Sequence, residues 1–194
     1  MQKLKLSLLS FILLFSLSIQ GQKLDKLLNV KYQPGFAILN SGDTLIGAFE
    51  FNDCEQNYRF LVYIDPVSQK KRVYEPQKIK YFNIDTLYFL PKELKDGWFF
   101  VRIILNDSLK VFLHKHFFTT DISSGAENQI MYEKPNGEYL MVSYDNFFPF
   151  NKRVGDFFSD DPKLYKKITN NTYTKNDILK IATEYNDWLR NNKR

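Results

Sequence analysis

Short apolar stretches separated by turn residues recur along the chain from residue 32 to residue 143. Within these stretches apolar and polar positions alternate loosely, with the two-residue period of a half-buried β-strand. Strands that follow each other this closely, with turn signals between them, are typical of antiparallel folds. The pattern therefore predicts a mainly β fold of about 8 to 10 strands, arranged as an antiparallel sheet, a sandwich or a partly open barrel.

Three β-hairpins are predicted from the turns between apolar stretches. Gly42 and Gly137 stand in two of these turns, where glycine readily takes the positive φ that a tight turn requires. Residues 98–105 are nearly all apolar, which predicts a central strand buried on both faces, whereas Pro91 is predicted to end the strand at residues 86–90. The predicted pairs are residues 35–39 with 44–51, 98–105 with 109–118, and 130–133 with 139–143.

Beyond residue 150 the spacing of apolar residues changes from the two-residue period of a strand to the roughly 3.6-residue period of a helix. Residues 151–158 and 162–168 predict short helices, and Thr174 is the predicted N-cap of a longer amphipathic helix, with Asp177 three residues on. We expect these C-terminal α-helices, within about residues 151–191, to cap one face or an open end of the sheet, and residues 32–194 to form a single domain. The alternative for the last helix is a partner-binding or membrane-surface role, although its polar face mixes both charges. Its apolar side carries Ile178, Ile181, Ala182, Tyr185, Trp188 and Leu189.

Residues 1–21 have the order of a secretory signal peptide. Lys3 and Lys5 precede an apolar stretch of about 14 residues, and Gly21 is a small residue at the predicted cut. This stretch is shorter than the roughly 20 residues that a spanning helix needs, and an uncleaved anchor is the alternative. Residues 22–31 are interpreted as a linker. We expect a secreted or periplasmic protein, soluble or peripheral to a membrane after cleavage, and not a lipoprotein, since no cysteine stands near the cut.

The cysteine content and the net charge limit the kinds of partner that this chain is expected to bind. Cys54 is the only cysteine, so it either bridges to another chain or behaves as a small buried residue. The formal charge of +5 is modest and spread out, and together with export it argues against a nucleic-acid partner. The 18 Phe and 12 Tyr favour strands. No cofactor is expected, because the chain lacks the P-loop and dinucleotide-binding motifs.

Two histidines are the best candidates for site chemistry. His114 and His116 lie two residues apart on a predicted strand, so both point to the same face and would be able to share a zinc or copper ion. A zinc site takes three or four protein ligands, and the chain has no further histidine. A hydrogen-bonded pair on the sheet surface is therefore favoured, and a metal would require Cys54 or a carboxylate such as Asp121 to lie close.

An aromatic cluster precedes the C-terminal helices. Phe147, Phe148 and Phe150 form a candidate interaction surface for a partner or a ligand. The alternative is that they end a strand and pack under the last helix. The two interpretations differ in whether the rings are exposed.

Serine and acidic residues give weaker indications of an enzyme. Asp43 suits a hairpin turn, and Ser123-Ser124-Gly125 lacks the adjacent base that a hydrolase nucleophile needs. Asp156, Asp160 and Asp161 would suit glycoside hydrolysis, but they equally suit helix ends. No catalytic residue is therefore assigned, and the chain is interpreted as not being an enzyme.

A set of turn and packing motifs runs through residues 32–189. Its members are Pro34-Gly35-Phe36, Gly42-Asp43-Thr44, Gly47, Tyr74-Glu75-Pro76, Asp161-Pro162, Leu164 and Tyr185-Asn186. In this respect the chain resembles a broad group of uncharacterised, secreted bacterial envelope proteins that share the Pro-Gly-aromatic and Gly-Asp-Thr opening and a C-terminal amphipathic helix. The resemblance implies a fold and a place at the envelope, and it brings no activity or catalytic residue with it.

These patterns predict a non-enzymatic, envelope-associated module that binds a partner. The partner is an unidentified protein or, as the alternative, a small apolar, lipid-like molecule held in a half-barrel. A large exposed apolar patch would support the first, and a deep aromatic-lined pocket of a few hundred Å³ the second. An unrecognised enzyme is the third alternative, and it requires titratable groups that converge in a cleft.

Overall fold

The computed structural model describes residues 32–51, 58–119, 124–143 and 149–192. Within them the chain is mainly β, with ten strands in one antiparallel sheet that does not close, which confirms the predicted fold class in its open-sheet form. The predicted signal peptide and linker lie outside the described residues. The strands are β1 (Tyr32–Leu39), β2 (Thr44–Glu50), β3 (Leu61–Ile64), β4 (Lys71–Tyr74), β5 (Ile79–Ile84), β6 (Leu87–Leu94), β7 (Gly97–Asn106), β8 (Lys110–Thr119), β9 (Ser124–Glu133) and β10 (Tyr139–Ser143).

Most strands lie beside their neighbours in sequence. The order is β10-β9-β8-β7-β6-β5-β1-β2-β3-β4, so the exception is that β5 lies beside β1 and not beside β4. All three predicted hairpins form, joining β1 with β2, β7 with β8 and β9 with β10. Gly42 has a φ of 93° and Gly137 a φ of 87°, as predicted for their turns.

Two compact units divide the chain between Phe100 and Val101. The first unit has an aromatic core on one face of its strands. The Phe82 and Phe89 rings stack with their centroids 4.7 Å apart, and Phe100 meets Phe82 edge-on at 4.7 Å. Ring pairs of this kind add about 0.5–1.5 kcal/mol each beyond the area they bury, so the phenylalanine-rich strands suit this core. β1 and β5 approach closely at Gly35, where a Cβ would lie 2.2 Å from a backbone oxygen of β5.

Two strands differ from their predicted form. β6 continues through Pro91 to Leu94. Its pairing with β5 involves residues 87–89, so the proline takes no part in that pairing. β7 is fully buried only at residues 99–101, whereas Trp98 is 37 % exposed and residues 102–105 are half-buried. The prediction of a strand buried along its whole length is therefore wrong.

Three helices follow β10 in the second unit: α1 (Phe150–Phe157), α2 (Pro162–Thr169) and α3 (Ile178–Asn192). Asp161 caps α2, since its side chain accepts hydrogen bonds from two backbone N–H groups of the first turn at 3.0 and 3.2 Å. α3 begins at Ile178, so Thr174 is not its N-cap. Instead the Thr174 backbone N–H and hydroxyl both donate to the Asp177 carboxylate at 3.1 Å, and this turn precedes the helix.

The helices cover part of one face of β8, β9 and β10, which confirms the predicted cap. The predicted apolar side of α3 is buried there. None of the described helices has both the length and the apolar character needed to cross a membrane. The buried cluster consists of Leu109, Val111, Ile130, Tyr132, Val142, Val154, Phe157, Phe158, Leu164, Ile168, Ile178, Ile181, Ala182, Tyr185 and Leu189.

Candidate ligand-binding groove

In the second unit, the sheet face that carries the helices is covered at one end and open at the other. Paired residues of antiparallel strands point to the same face, so the register shows which side chains share it. The row across the middle is Arg102, Leu113, Ile130 and Val142. The covered end holds Val111, Tyr132 and Leu140, and the open end holds Lys115, Phe117, Ala126 and Asn128.

At the covered end the buried polar groups have partners. Asn186 of α3 is 1 % exposed and reaches the backbone of Leu109. The Leu109 N–H donates to Asn186 Oδ1 at 2.7 Å, and Asn186 Nδ2 donates to the Leu109 carbonyl at 3.1 Å. The Tyr132 hydroxyl donates to the Ile178 carbonyl at 3.3 Å. These bonds fix α3 on the sheet without leaving a polar group unsatisfied there.

A lysine between β9 and β10 joins the helices to this end. The Lys134 ammonium lies 3.2 Å from Asp160 Oδ1 and 4.7 Å from the centroid of the Phe157 ring. The Tyr185 hydroxyl donates to the same aspartate. Burial, together with that hydrogen bond, raises the pKa of Tyr185 well above its ordinary value of 10.0. The Tyr185 hydroxyl therefore stays protonated at neutral pH and serves the fold.

The open end contains a groove of about 500 Å³. Ile130 is buried and Leu113 half-buried, whereas Ala126 and Asn128 are exposed at the rim. Small-molecule sites of about 300–1,000 Å³ are typically apolar with a few polar groups, and this groove has that size and combines apolar with polar residues. Its lining consists of Arg102, Leu113, Ala126, Glu127, Asn128 and Ile130.

Arg102 is the cation of this lining. Its Nε atom is buried and meets no hydrogen-bond acceptor among the described residues. Leaving a buried donor without an acceptor costs about 1–3 kcal/mol, and more when the group is charged. A bound molecule that supplies an acceptor would offset this cost.

The acid in the lining does not neutralise Arg102. Alternation along β9 places the Glu127 side chain on the other face of the sheet, where it accepts a hydrogen bond from the Ser143 hydroxyl. At the open end, Lys115 pairs in register with Asn128, and its ammonium lies 5.8 Å from the centroid of a neighbouring phenylalanine ring. Among the described residues of the lining, the unmet guanidinium of Arg102 therefore favours an anion.

The two predicted histidines lie on the opposite face of β8. Their ring centroids are 6.4 Å apart. His114 is buried, and the centroid of the His116 ring lies 6.5 Å from the centroid of the Phe118 ring. In the part of the chain that the structure describes, no group of three or more His, Cys, Asp or Glu side chains is placed to hold a metal ion. Cys54 and Asp121, the other predicted ligands, lie outside that part. The shared metal ion therefore stays a prediction.

The predicted aromatic surface is described only in part. Phe147 and Phe148 lie outside the described residues. Phe150 is the first residue of α1 and packs, partly buried, against the helix–sheet cluster. For this residue the contact favours the packing alternative over an exposed interaction surface.

The acidic residues weighed for catalysis have structural partners. Asp161 caps α2 and Asp160 binds Lys134, as described above. Asp156 accepts from the Lys152 ammonium one helical turn away at 2.9 Å. Asp43 accepts from a serine hydroxyl two residues earlier at 2.8 Å, within the first hairpin turn. These contacts favour the structural interpretation of all four carboxylates.

A second depression, of about 420 Å³, lies beside α3 around Glu184. The Lys167 ammonium lies 2.7 and 2.9 Å from the two Glu184 oxygens, and the Tyr173 hydroxyl donates to one of them at 2.7 Å. Burial raises the pKa of Glu184, but these hydrogen bonds outweigh it and hold the pKa below its ordinary value of 4.5. This carboxylate is already satisfied, so the depression is a weaker candidate than the groove.

Sequence reasoning overlooks Arg102 because it lies inside the apolar stretch of residues 98–105. The sequence nevertheless gives an indication of this residue. A guanidinium in the middle of an apolar strand needs either an acceptor within the protein or a bound ligand that supplies one. The sequence does not reveal that Glu127, the acid among the described lining residues, points to the other face. That fact depends on the register of β7, β8 and β9.

No protein-family model, no curated protein and no solved structure matches this chain. The resemblance to secreted envelope proteins therefore stays a prediction. The groove and the residues that line it are therefore the features of this chain that indicate a function.

Proposed function

We propose that this chain is an exported, non-enzymatic binding protein of the cell envelope that holds a small amphipathic molecule in the groove. The observation that carries the proposal is the groove itself, about 500 Å³ in volume, with an apolar floor and a cation at its side. Its size fits the small-ligand alternative raised from the sequence, although its described lining combines aliphatic with polar residues and includes no aromatic one. Export rests on the signal-peptide pattern of residues 1–21.

The groove continues the apolar face of the covered end. Leu113 and Ile130 belong both to its lining and to the packing around the helix–sheet cluster. A ligand would therefore bury its apolar part against side chains that are already held by their neighbours. Such burial contributes about 25 cal/mol per Å², and a preformed surface keeps the entropic cost of ordering small.

Native mass spectrometry of the protein purified from its own host tests the proposal directly. We expect an added mass that extraction with organic solvent removes. In parallel, decanoate and 1-decanol are titrated into the protein as probes and followed by NMR. Saturable shifts of the backbone amide signals of Ala126 and Asn128 are expected for at least one probe. If no adduct is found and neither probe moves these signals, the proposal is wrong.

Two matched tryptophan variants locate the binding. Ala126→Trp fills the exposed rim of the groove and should weaken probe binding at least tenfold. Tyr139→Trp changes a residue of β10 that is 47 % exposed and lies outside the groove lining, and it should leave binding unchanged. Equal binding by both variants and the wild type would place the ligand elsewhere.

A further inference from the structure

Arg102 gives the groove a specific chemical preference. A guanidinium presents its N–H donors in a planar fork that matches the two oxygens of a carboxylate. The Nε atom of Arg102 is one of these donors, and it is buried with no described acceptor. The side-chain amide of Asn128, in the same lining, adds a further donor at the rim. The same lining contains the apolar side chains of Leu113 and Ile130.

We infer that the groove binds a monocarboxylate with a short acyl chain, with its head group on Arg102 and its chain along Leu113 and Ile130. This inference rests on the proposed function and specifies the ligand of that same site. It commits to a free amphipathic acid and not to a neutral lipid.

Charge balance favours a carboxylate over a phosphate. Among the described residues that line the groove, Arg102 is the one cation, and it brings a single positive charge. A carboxylate matches that charge, whereas a phosphate group carries about 1.5–2 negative charges at pH 7. The excess charge would be held in a half-buried site, where an uncompensated ion is costly. Lys115 lies at the same open end but outside the lining.

The test compares three probes that share one chain: decanoate, 1-decanol and decyl phosphate. Affinities are measured by calorimetric titration for the wild type, Arg102→Gln and Arg102→Lys. We expect the wild type to bind decanoate at least tenfold more tightly than 1-decanol. Arg102→Gln should bring that ratio to about one, because it weakens decanoate binding more than 1-decanol binding. Arg102→Lys should give an intermediate ratio, because lysine keeps the charge but loses the fork.

The outcomes separate this inference from the proposed function. Equal affinities of the wild type for decanoate and 1-decanol overturn the carboxylate site while small-molecule binding stands. Tighter binding of decyl phosphate than of decanoate also overturns it. If no probe binds, the proposed function itself is wrong.

A measurement on the wild type alone covers the case in which a variant does not fold. The affinity for decanoate should fall as the pH drops through the range of carboxyl pKa values, about 4–5, while the affinity for 1-decanol stays constant. If the two affinities keep the same ratio across this range, the carboxylate site is excluded. Circular dichroism of each variant serves as the folding control.

Discussion

The two ends of one sheet face in the second unit are built from the same strands but treat their polar groups differently. At the covered end, Asn186 satisfies both backbone groups of Leu109. At the open end, the Nε atom of Arg102 is buried without a described partner. Because an unmet buried donor costs about as much as a hydrogen bond contributes, the covered end adds stability and the open end gives some of it up. Such a local loss of stability is typical of a site that serves binding.

The largest expected contrast comes from removing one ring at each end. Phe158 is fully buried, with ring centroids of Tyr132 and Tyr185 at 5.3 and 4.9 Å. Phe158→Ala should lower the free energy of unfolding by about 3–5 kcal/mol, because it leaves a cavity in the cluster. Phe117→Ala, at the open end, should lower it by about 1 kcal/mol, because that ring is only half-buried. Urea unfolding measures both, and equal losses would contradict the contrast.

The next contrast concerns two asparagines. Asn186→Leu leaves the N–H and the carbonyl of Leu109 buried and unpaired, so the free energy of unfolding should fall by about 2–4 kcal/mol. Asn128→Leu, at the exposed rim, should change it by about 0.5 kcal/mol or less. Chemical denaturation checks both variants. A loss below about 1 kcal/mol for Asn186→Leu would show that these two bonds do not anchor α3.

Replacing Arg102 should not lower the free energy of unfolding, in contrast to the variants at the covered end. Arg102→Leu removes the buried, unmet donor, so the free energy of unfolding should stay the same or rise by up to about 1 kcal/mol. The same variant should lose the preference for decanoate. Thermal and urea unfolding are the measurements. A loss of stability of more than about 1 kcal/mol would mean that Arg102 serves the fold and not a ligand.

The smallest effect is expected at Glu184, where the carboxylate is already satisfied. Its folded-state pKa lies below its ordinary value of 4.5, so its contribution is complete above pH 4.5 and is lost as the pH falls through the lower, folded-state pKa. Glu184→Gln should remove this pH dependence. The group is partly exposed, so the difference should stay below about 1 kcal/mol. Unfolding curves of both proteins from about pH 3 to pH 7 measure it, and a difference independent of pH would refute the assignment.

Turns and the hairpins that they join could be predicted from the sequence because they depend on neighbouring residues. Gly42 and Gly137 mark tight turns through their own backbone freedom, and alternation marks the strands between them. The same local reasoning was wrong at Thr174 and at Pro91. At Thr174 the backbone N–H and the hydroxyl bond the Asp177 carboxylate in a turn that precedes the helix. At Pro91 the strand continues beyond the residues that pair with β5.

By itself, the sequence determined that this chain forms antiparallel hairpins followed by amphipathic helices, since period and turn chemistry act over a few residues. Only the tertiary structure decided that β1 lies between β5 and β2, and that Asn186 meets Leu109 from 77 positions away. It also decided that Arg102 shares its face with Leu113 and Ile130 while the carboxylate of Glu127 turns away. Such contacts depend on which strands pair and in which register, and a one-residue shift would move every side chain to the other face.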